Sequence, residues 1–405
     1  MIWLSMEGKL QKVEDKEQFS ELLVYLCEER KLKIEDFDTM VEIEVCPEGR
    51  IICIYEEENV YLKTNSTLLG PGYHAFVAKL YDDILLESGI TFDVFDPTLY
   101  YEERSFEDLK YKHFYVWLDK VLHGSEVESM YLQNIMFSSY TYIPEHKEDN
   151  ILTPMGYLSF DKRKQYELND LAQQFFLWNE EERDAIYYRN CSLWLLWREC
   201  YFTYSHMNEH TKKVAETIID YVEIAHAKDE HLALPYKEYV ELCHILQRET
   251  LILQCQDMYD ETIGYRQGNV NYVYGNWRIS AHGCSEVMID EKEDKMYIID
   301  PYQDMYTPWK RMLRIQRVED ELSSLSSYIP SAATIEVLND RDQGYSGKVV
   351  VIDAEEHKEV LAQLIHGDDT IFLQYTVCDE DLVQDCLHTI HHIAYVENIA
   401  SNMKS

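Results

Sequence analysis

The chain has 405 residues, of which 37 are basic and 75 acidic, giving a formal net charge of −38 at pH 7, and 46% are hydrophobic. That apolar share supports buried cores and excludes disorder as the main state, and a length prior of roughly 100–200 residues per domain allows about two to four domains. An acidic surface gains no counterion release on meeting a polyanion, which excludes nucleic acid and anionic membrane surfaces as general partners.

Taken from the N-terminus, Phe19, Leu22, Leu23 and Leu26 recur at helical spacing within 16–32, and residues 41–45 and 51–55 alternate or run apolar about Pro47-Glu-Gly49. This predicts a helix followed by a β-hairpin. Gly70-Pro-Gly72 punctuates the chain before Phe76, Val77, Leu80 and Ile84 mark one helical face, and a second helical pattern covers 106–122. Residues 1–150 therefore read as an α+β domain.

Between 161 and 257 strand signals nearly vanish. Leu168, Leu171, Phe175 and Phe176 open a helical pattern, and 185–202 is apolar almost all round, which predicts a helix buried on most of its surface. Val214, Ile218, Tyr221 and Val222 mark the next helix, and Pro235 separates it from Tyr239, Leu242, Ile245 and Leu246, so 151–258 reads as a central helical bundle. Strands return at 271–274, 277–279, 296–299 and 312–315. After Pro330 the order is strand 334–338, strand 348–352, helix 355–365, strand 370–377 and helix 381–396, which makes 259–405 a C-terminal α+β sheet domain. The fold class expected for the whole chain is α+β.

No apolar run approaches the roughly 18–20 residues of a membrane span. The start, Met1 to Lys9, lacks the basic and apolar regions of an export signal, and none of the ten scattered cysteines forms a C-x-x-C pair. Reduced thiols in a cytoplasm are the expectation.

Two Glu-x-x-His motifs, Glu223-Ile-Ala-His226 and Glu241-Leu-Cys-His244, place a carboxylate and an imidazole on one helical face, the spacing used by di-metal bundle sites. Glu223, His226, Glu241 and His244 are thus the candidate metal ligands, with Glu182 and Glu199 needed to complete a set. Glu and His are common on exposed faces of so acidic a chain, so coincidence is the preferred reading and no cofactor is expected. His388, His391 and His392 with Asp385 form a second pattern, read as plain helix surface because Leu382, Val383, Leu387, Ile390 and Ile393 already define a core face.

Gly70-Pro-Gly-Tyr-His74 matches no phosphate-loop pattern and reads as a helix-capping turn, with His74, Asp82 and Asp83 as residues that could line a cleft. Tyr265-Arg266, Trp277-Arg278 and the stretch 309–317 concentrate cations and aromatics. In a strand, Lys310, Met312, Arg314 and Gln316 share one face and Arg311, Leu313, Ile315 and Arg317 the other, so pairing with nearby carboxylates is expected ahead of an anion site.

The chain contains no G-x-S-x-G elbow, H-E-x-x-H helix or kinase motif set. It does contain 32 Tyr and seven Trp, residue types that enrich recognition surfaces as well as cores. In its acidity, its missing catalytic motifs and its α+β make-up, the chain resembles bacterial toxin-immunity proteins in general character, a likeness of make-up and not of motif. The leading expectation is an acidic protein-binding module, an immunity-type inhibitor of a basic toxin or nuclease, with a basic protein as partner. The alternatives are a metal-dependent or hydrolytic enzyme using the bundle Glu and His residues, and a structural subunit using the Trp-rich helices as an interface.

Overall fold

A computed structural model of the chain describes residues 1–10, 14–37, 39–123, 136–137, 140–201, 209–259, 263–301, 309–318, 335–340, 344–354, 357–378 and 381–396. They form an α+β protein in which every paired strand of the four sheets is antiparallel. The chain divides into two compact units, one built from Met1–Met136, Lys147–Cys200 and Lys212–Gly264, the other from Phe137–His146, Tyr201–Thr211 and Tyr265–Ser405.

The first unit opens with a six-stranded sheet made of β1 (Trp3–Lys9), β2 (Lys33–Asp36), β3 (Met40–Cys46), β4 (Gly49–Glu56), β5 (Asn59–Asn65) and β6 (Phe92–Phe95), in the order β2-β3-β4-β5-β1-β6. Period-two alternation gives it one apolar face, with Leu4, Met6, Ile43, Ile51, Val60 and Leu62 all buried. Helices α1 (Glu14–Arg30) and α2 (Pro71–Ser88) pack against each other, and α2 also packs against β1. Pro71 sits in the first turn of α2, where its missing N–H costs nothing, and Gly89 ends the helix in the left-handed region at φ 66°.

After α3 (Tyr100–Glu103), the helix expected over 106–122 is present but not uniform. It runs as α4 (Phe106–Asp108), a π-helical turn at Leu109–Phe114 and α5 (Tyr115–Leu122). The hairpin β8 (Asn150–Thr153) and β9 (Gly156–Ser159) leads into α6 (Phe160–Gln165), α7 (Leu168–Phe175), α8 (Ala185–Arg198), α9 (Glu209–Lys228) and α10 (Tyr236–Ile245). The Asp184 side chain caps α8 by accepting the Tyr187 N–H at 2.8 Å. Nearly every residue of α8 is buried, Trp194 and Trp197 included, as its apolar circumference requires. The helix ends at Arg198; Phe202, the expected end, lies outside the described residues.

The second unit holds a four-stranded sheet of β7 (Tyr142–Pro144), β10 (Asn269–Tyr274), β11 (Trp277–His282) and β19 (Ala394–Tyr395), ordered β19-β11-β10-β7. Pro144 is tolerated because β7 is an edge strand. A seven-stranded sheet follows, ordered β12-β13-β14-β18-β17-β16-β15. Its strands are β12 (Glu286–Asp290), β13 (Lys295–Pro301), β14 (Trp309–Arg317), β15 (Ile335–Asp340), β16 (Tyr345–Asp353), β17 (Lys358–His366) and β18 (Asp369–Val377). Helix α11 (Leu382–His391) packs on β17 and β18 and buries Val383, Cys386 and Ile390.

One expectation is overturned. Of residues 355–365, read as a helix, 358–365 belong to the strand β17 and pair with both β16 and β18. The cause is burial on both faces. Val360, Ala362 and Leu364 point to one side of the sheet and Leu361 to the other, where it clusters with Val350 and Phe372. A strand apolar on both faces loses its alternation and imitates a buried helix, and Glu, Ala, Gln and Leu add helical propensity that the sheet overrides. The helix expected over 381–396 also stops early, at His391, before β19.

Candidate functional site

The Gly70-Pro-Gly72 turn helps to build a concave site in the first unit. Gly70 takes φ 100°, and a Cβ on Gly72 would lie 2.1 Å from both the Glu180 carbonyl oxygen and the Trp178 ring. With no Cβ there, the segment after α7 runs directly against the start of α2: the Gly72 N–H donates to the Trp178 carbonyl at 3.0 Å, and the Trp178 N–H to that of Leu69 at 2.8 Å. The π-helical turn adds a second clamp. It carries Lys110, buried, whose Nζ donates to Glu180 Oε1 at 2.7 Å, while Asn179 Nδ2 donates to Tyr115 Oη at 3.0 Å. The start of α2 is thus occupied by protein backbone, as a capping turn requires.

The clamped segment forms one wall of a cleft of about 910 Å³, whose other lining comes from α1, α2, α8, α9 and the residues around α3. That volume is in the range of small-molecule sites. Five lining residues are basic and four acidic, in a chain that is otherwise strongly acidic. Two carboxylates are neutralised in place, Asp82 by Arg104 at 2.7 Å and Asp83 by Arg30. Arg183 lies over the rings of Phe76 and Trp178, 4.7 and 4.8 Å from their centroids, and its buried Nε has no hydrogen-bond acceptor among the described residues. Lys79 and Lys228 are exposed and have no carboxylate partner among the described residues; Lys228 Nζ lies 5.5 Å from the Tyr188 ring centroid.

Of the three residues expected near a cleft here, Asp82 and Asp83 line it. His74 does not: it is wholly buried beneath. Its Nδ1 lies 2.8 Å from Ser66 Oγ and its Nε2 lies 3.2 Å from Asp96 Oδ2. Asp96 also accepts from Thr98 N–H and Oγ–H and from Tyr101 N–H. Burial opposes ionisation of Asp96, but hydrogen bonding and charge at His74, with the Thr98 donors, outweigh it and lower the carboxyl to about 2. A Ser–His–Asp relay has this connectivity, yet Ser66 has no exposed surface, so no substrate carbonyl reaches its hydroxyl. The triad ties the loop before α2 to the loop before α3. Sequence reasoning missed it because the three residues are separated by 8 and 22 positions and share no local signature.

Of the four metal-ligand candidates, Glu223 is engaged by other partners. Glu223 Oε1 accepts from Tyr239 Oη at 3.1 Å, and Glu223 Oε2 pairs with Arg248 at 2.8 Å. His226 has a buried Nδ1 without a hydrogen-bond partner among the described residues. Glu241 and His244 sit on α10 with Glu238, a carboxylate that is itself buried. Among the described residues, no group of three or more His, Cys, Asp or Glu side chains is placed to hold a metal. His388 and His391 on α11 and His392, which follows it, are exposed, and His391 pairs with Glu336 at 3.4 Å.

The basic stretch on β14 pairs internally, Arg311 with Asp300 at 2.6 Å and Arg317 with Asp369 at 3.6 Å. Arg266 donates to the Gly283 carbonyl and lies 3.6 Å from the Tyr201 ring centroid.

A different kind of site is the outer face of the six-stranded sheet, where no side chain is fully buried. Register places Met40, Ile54, Tyr61, Glu7 and Asp93 in one row across it, and Glu35, Glu42, Ile52, Lys63, Ser5 and Phe95 in the next. Two pairs of directly opposed residues are both acidic, Glu7 with Asp93 and Glu35 with Glu42. Arg50 bridges Glu42 at 2.7 Å; the Glu7–Asp93 pair has no salt-bridge partner among the described residues. Trp3 and Phe95 are exposed on the same face.

Compared with protein-family models the chain matches none, and a search of curated proteins finds no significant match. No described helix is long and apolar enough to cross a membrane.

Proposed function

We propose that the chain is a protein-binding module that engages a basic protein, in the manner of an immunity-type inhibitor covering a basic toxin or nuclease. The observation that carries this reading is the open sheet face with its opposed carboxylates. Like charges directly across a strand pair destabilise a sheet, and a cationic partner seated on Glu7 and Asp93 relieves that repulsion. Trp3, Tyr61 and Phe95 supply aromatic anchors beside them, the residue types that dominate binding energy at interfaces. The net charge of −38 adds long-range attraction for the same partner. A reducing cytoplasm as the working compartment is part of the proposal, supported by ten cysteines that are all free.

The test is to isolate the partner from the native host and follow its association with the purified chain by interferometry across a salt series. The expected partner is basic, its association rate falls as salt screens the attraction, and the double variant Glu7→Lys/Asp93→Lys slows association by about tenfold or more. An acidic partner, or a rate indifferent to both salt and the double variant, overturns the reading.

A further inference from the structure

The cleft walled by the 178–183 segment has a composition that the sheet face does not share. Its two exposed lysines, Lys79 on α2 and Lys228 at the end of α9, reach it from separate elements, and neither meets a carboxylate among the described residues. Arg183 lines the same cleft, its guanidinium lying over Phe76 and Trp178 and its Nη2 donating to the Val45 carbonyl at 3.3 Å. The acidic residues of α2 do not cancel these charges, because Asp82 and Asp83 are already paired with Arg104 and Arg30. Glu181 and Glu182 remain as exposed acceptors.

We infer that this cleft is a binding site for a small organic anion that carries an aromatic ring. The anionic head is received by Lys79, Lys228 and Arg183, in a lining where five cations face four carboxylates although the chain as a whole is strongly acidic. The ring packs against the half-buried Phe76 and Tyr188, which leave apolar surface in the lining. Glu181 and Glu182 accept hydrogen bonds from hydroxyl or amino groups on the same molecule. The volume of about 910 Å³ admits such a ligand whole. The site is independent of the partner-binding face and stands or falls separately from it.

Isothermal titration calorimetry of the full chain tests the inference with four probes. AMP and indole-3-acetate are the aromatic anions, one with a phosphate head and one with a carboxylate head; inorganic phosphate and adenosine each carry half of the chemistry. At least one aromatic anion is expected to bind once per chain, about tenfold or more tighter than phosphate or adenosine, and the better of the two identifies the head group. The variant Lys79→Glu/Lys228→Glu is expected to weaken that binding by about tenfold or more with an unchanged melting temperature, since both side chains are exposed. Lys79→Gln/Lys228→Gln serves the same purpose if charge reversal perturbs folding. Failure of both aromatic anions to bind, equal binding of bare phosphate, or affinity unchanged in the folded lysine variants overturns the inference.

Discussion

At the scale of single residues, two buried carboxylates push stability in opposite directions with pH. Asp96 is held down to about 2 in the folded chain, so its contribution is complete above the ordinary carboxylate range and is lost as pH falls from about 4 toward 2. That depression corresponds to about 2 kcal/mol of stability. Asp96→Asn removes this acid dependence and turns an amide toward the His74 and Tyr101 donors. It is expected to cost roughly 2–4 kcal/mol at neutral pH, read as a lower denaturant midpoint. Glu238 behaves in the reverse sense. Burial raises its carboxyl, opposed by N–H donors including Ile263 and reinforced by the charges of Asp257 and Glu241, and its Oε2 has no partner among the described residues. The folded chain therefore holds a proton at Glu238 more tightly than the unfolded chain does, and stability falls as pH rises through the raised value. Glu238→Gln is expected to melt higher than the parent at pH 7 to 8, with the gap closing toward pH 4. A gap that stays constant across that range refutes the assignment.

At the scale of elements, two glycines that look alike in sequence have different work. Gly72→Ala places a methyl group against the Glu180 carbonyl and the Trp178 ring, neither of which can withdraw without opening the wall of the cleft. The expected loss is on the order of 3 kcal/mol or more, with a red-shifted tryptophan emission as Trp178 is exposed. Gly89→Ala meets nothing within 4 Å and pays only for its left-handed φ, about 1 kcal/mol with unchanged emission. Thermal unfolding and fluorescence of the two variants separate these effects. From sequence, the glycines were legible as a turn before a helix but not as a packing surface, because the partner segment lies about a hundred residues on. The same limit runs through the fold. The helices α1, α2 and α11 were readable from one apolar stripe, α8 from its apolar circumference, and the β3–β4 and β10–β11 hairpins from short apolar or alternating runs about a turn. β17 was not, because burial on both faces erased its period; β6 went unread because four residues carry little pattern, and β1 and β5 because each buries only a few apolar side chains between exposed or half-buried neighbours. The cleft was legible only in Asp82 and Asp83, whereas its lysines come from helices far apart in the chain.

For the whole molecule, the acidity is a cost as well as an attraction. Seventy-five carboxylates against 37 cations repel one another in the compact state more than in the extended one. Added sodium chloride should therefore raise the melting temperature at neutral pH over the range in which the screening length shortens from about 30 Å to about 10 Å, before any general salt effect sets in. Differential scanning calorimetry at fixed pH measures this, and a melting temperature that falls or stays flat over that range would count against net self-repulsion.

The interleaved segments of the two units set a timetable for synthesis. β7 belongs to the second unit, yet it is made between two stretches of the first, and its partner β10 begins about 125 residues later. At roughly 5–20 residues per second, the ribosome takes on the order of 6–25 s to supply that partner. Over that interval the nascent chain can assemble the first sheet around β1 to β6 while Tyr142 and its neighbours wait unpaired, a window in which a holdase or a stray strand competes for them. A truncated messenger ending near Gly264 would thus encode every residue of one unit and leave a stranded remnant of the other.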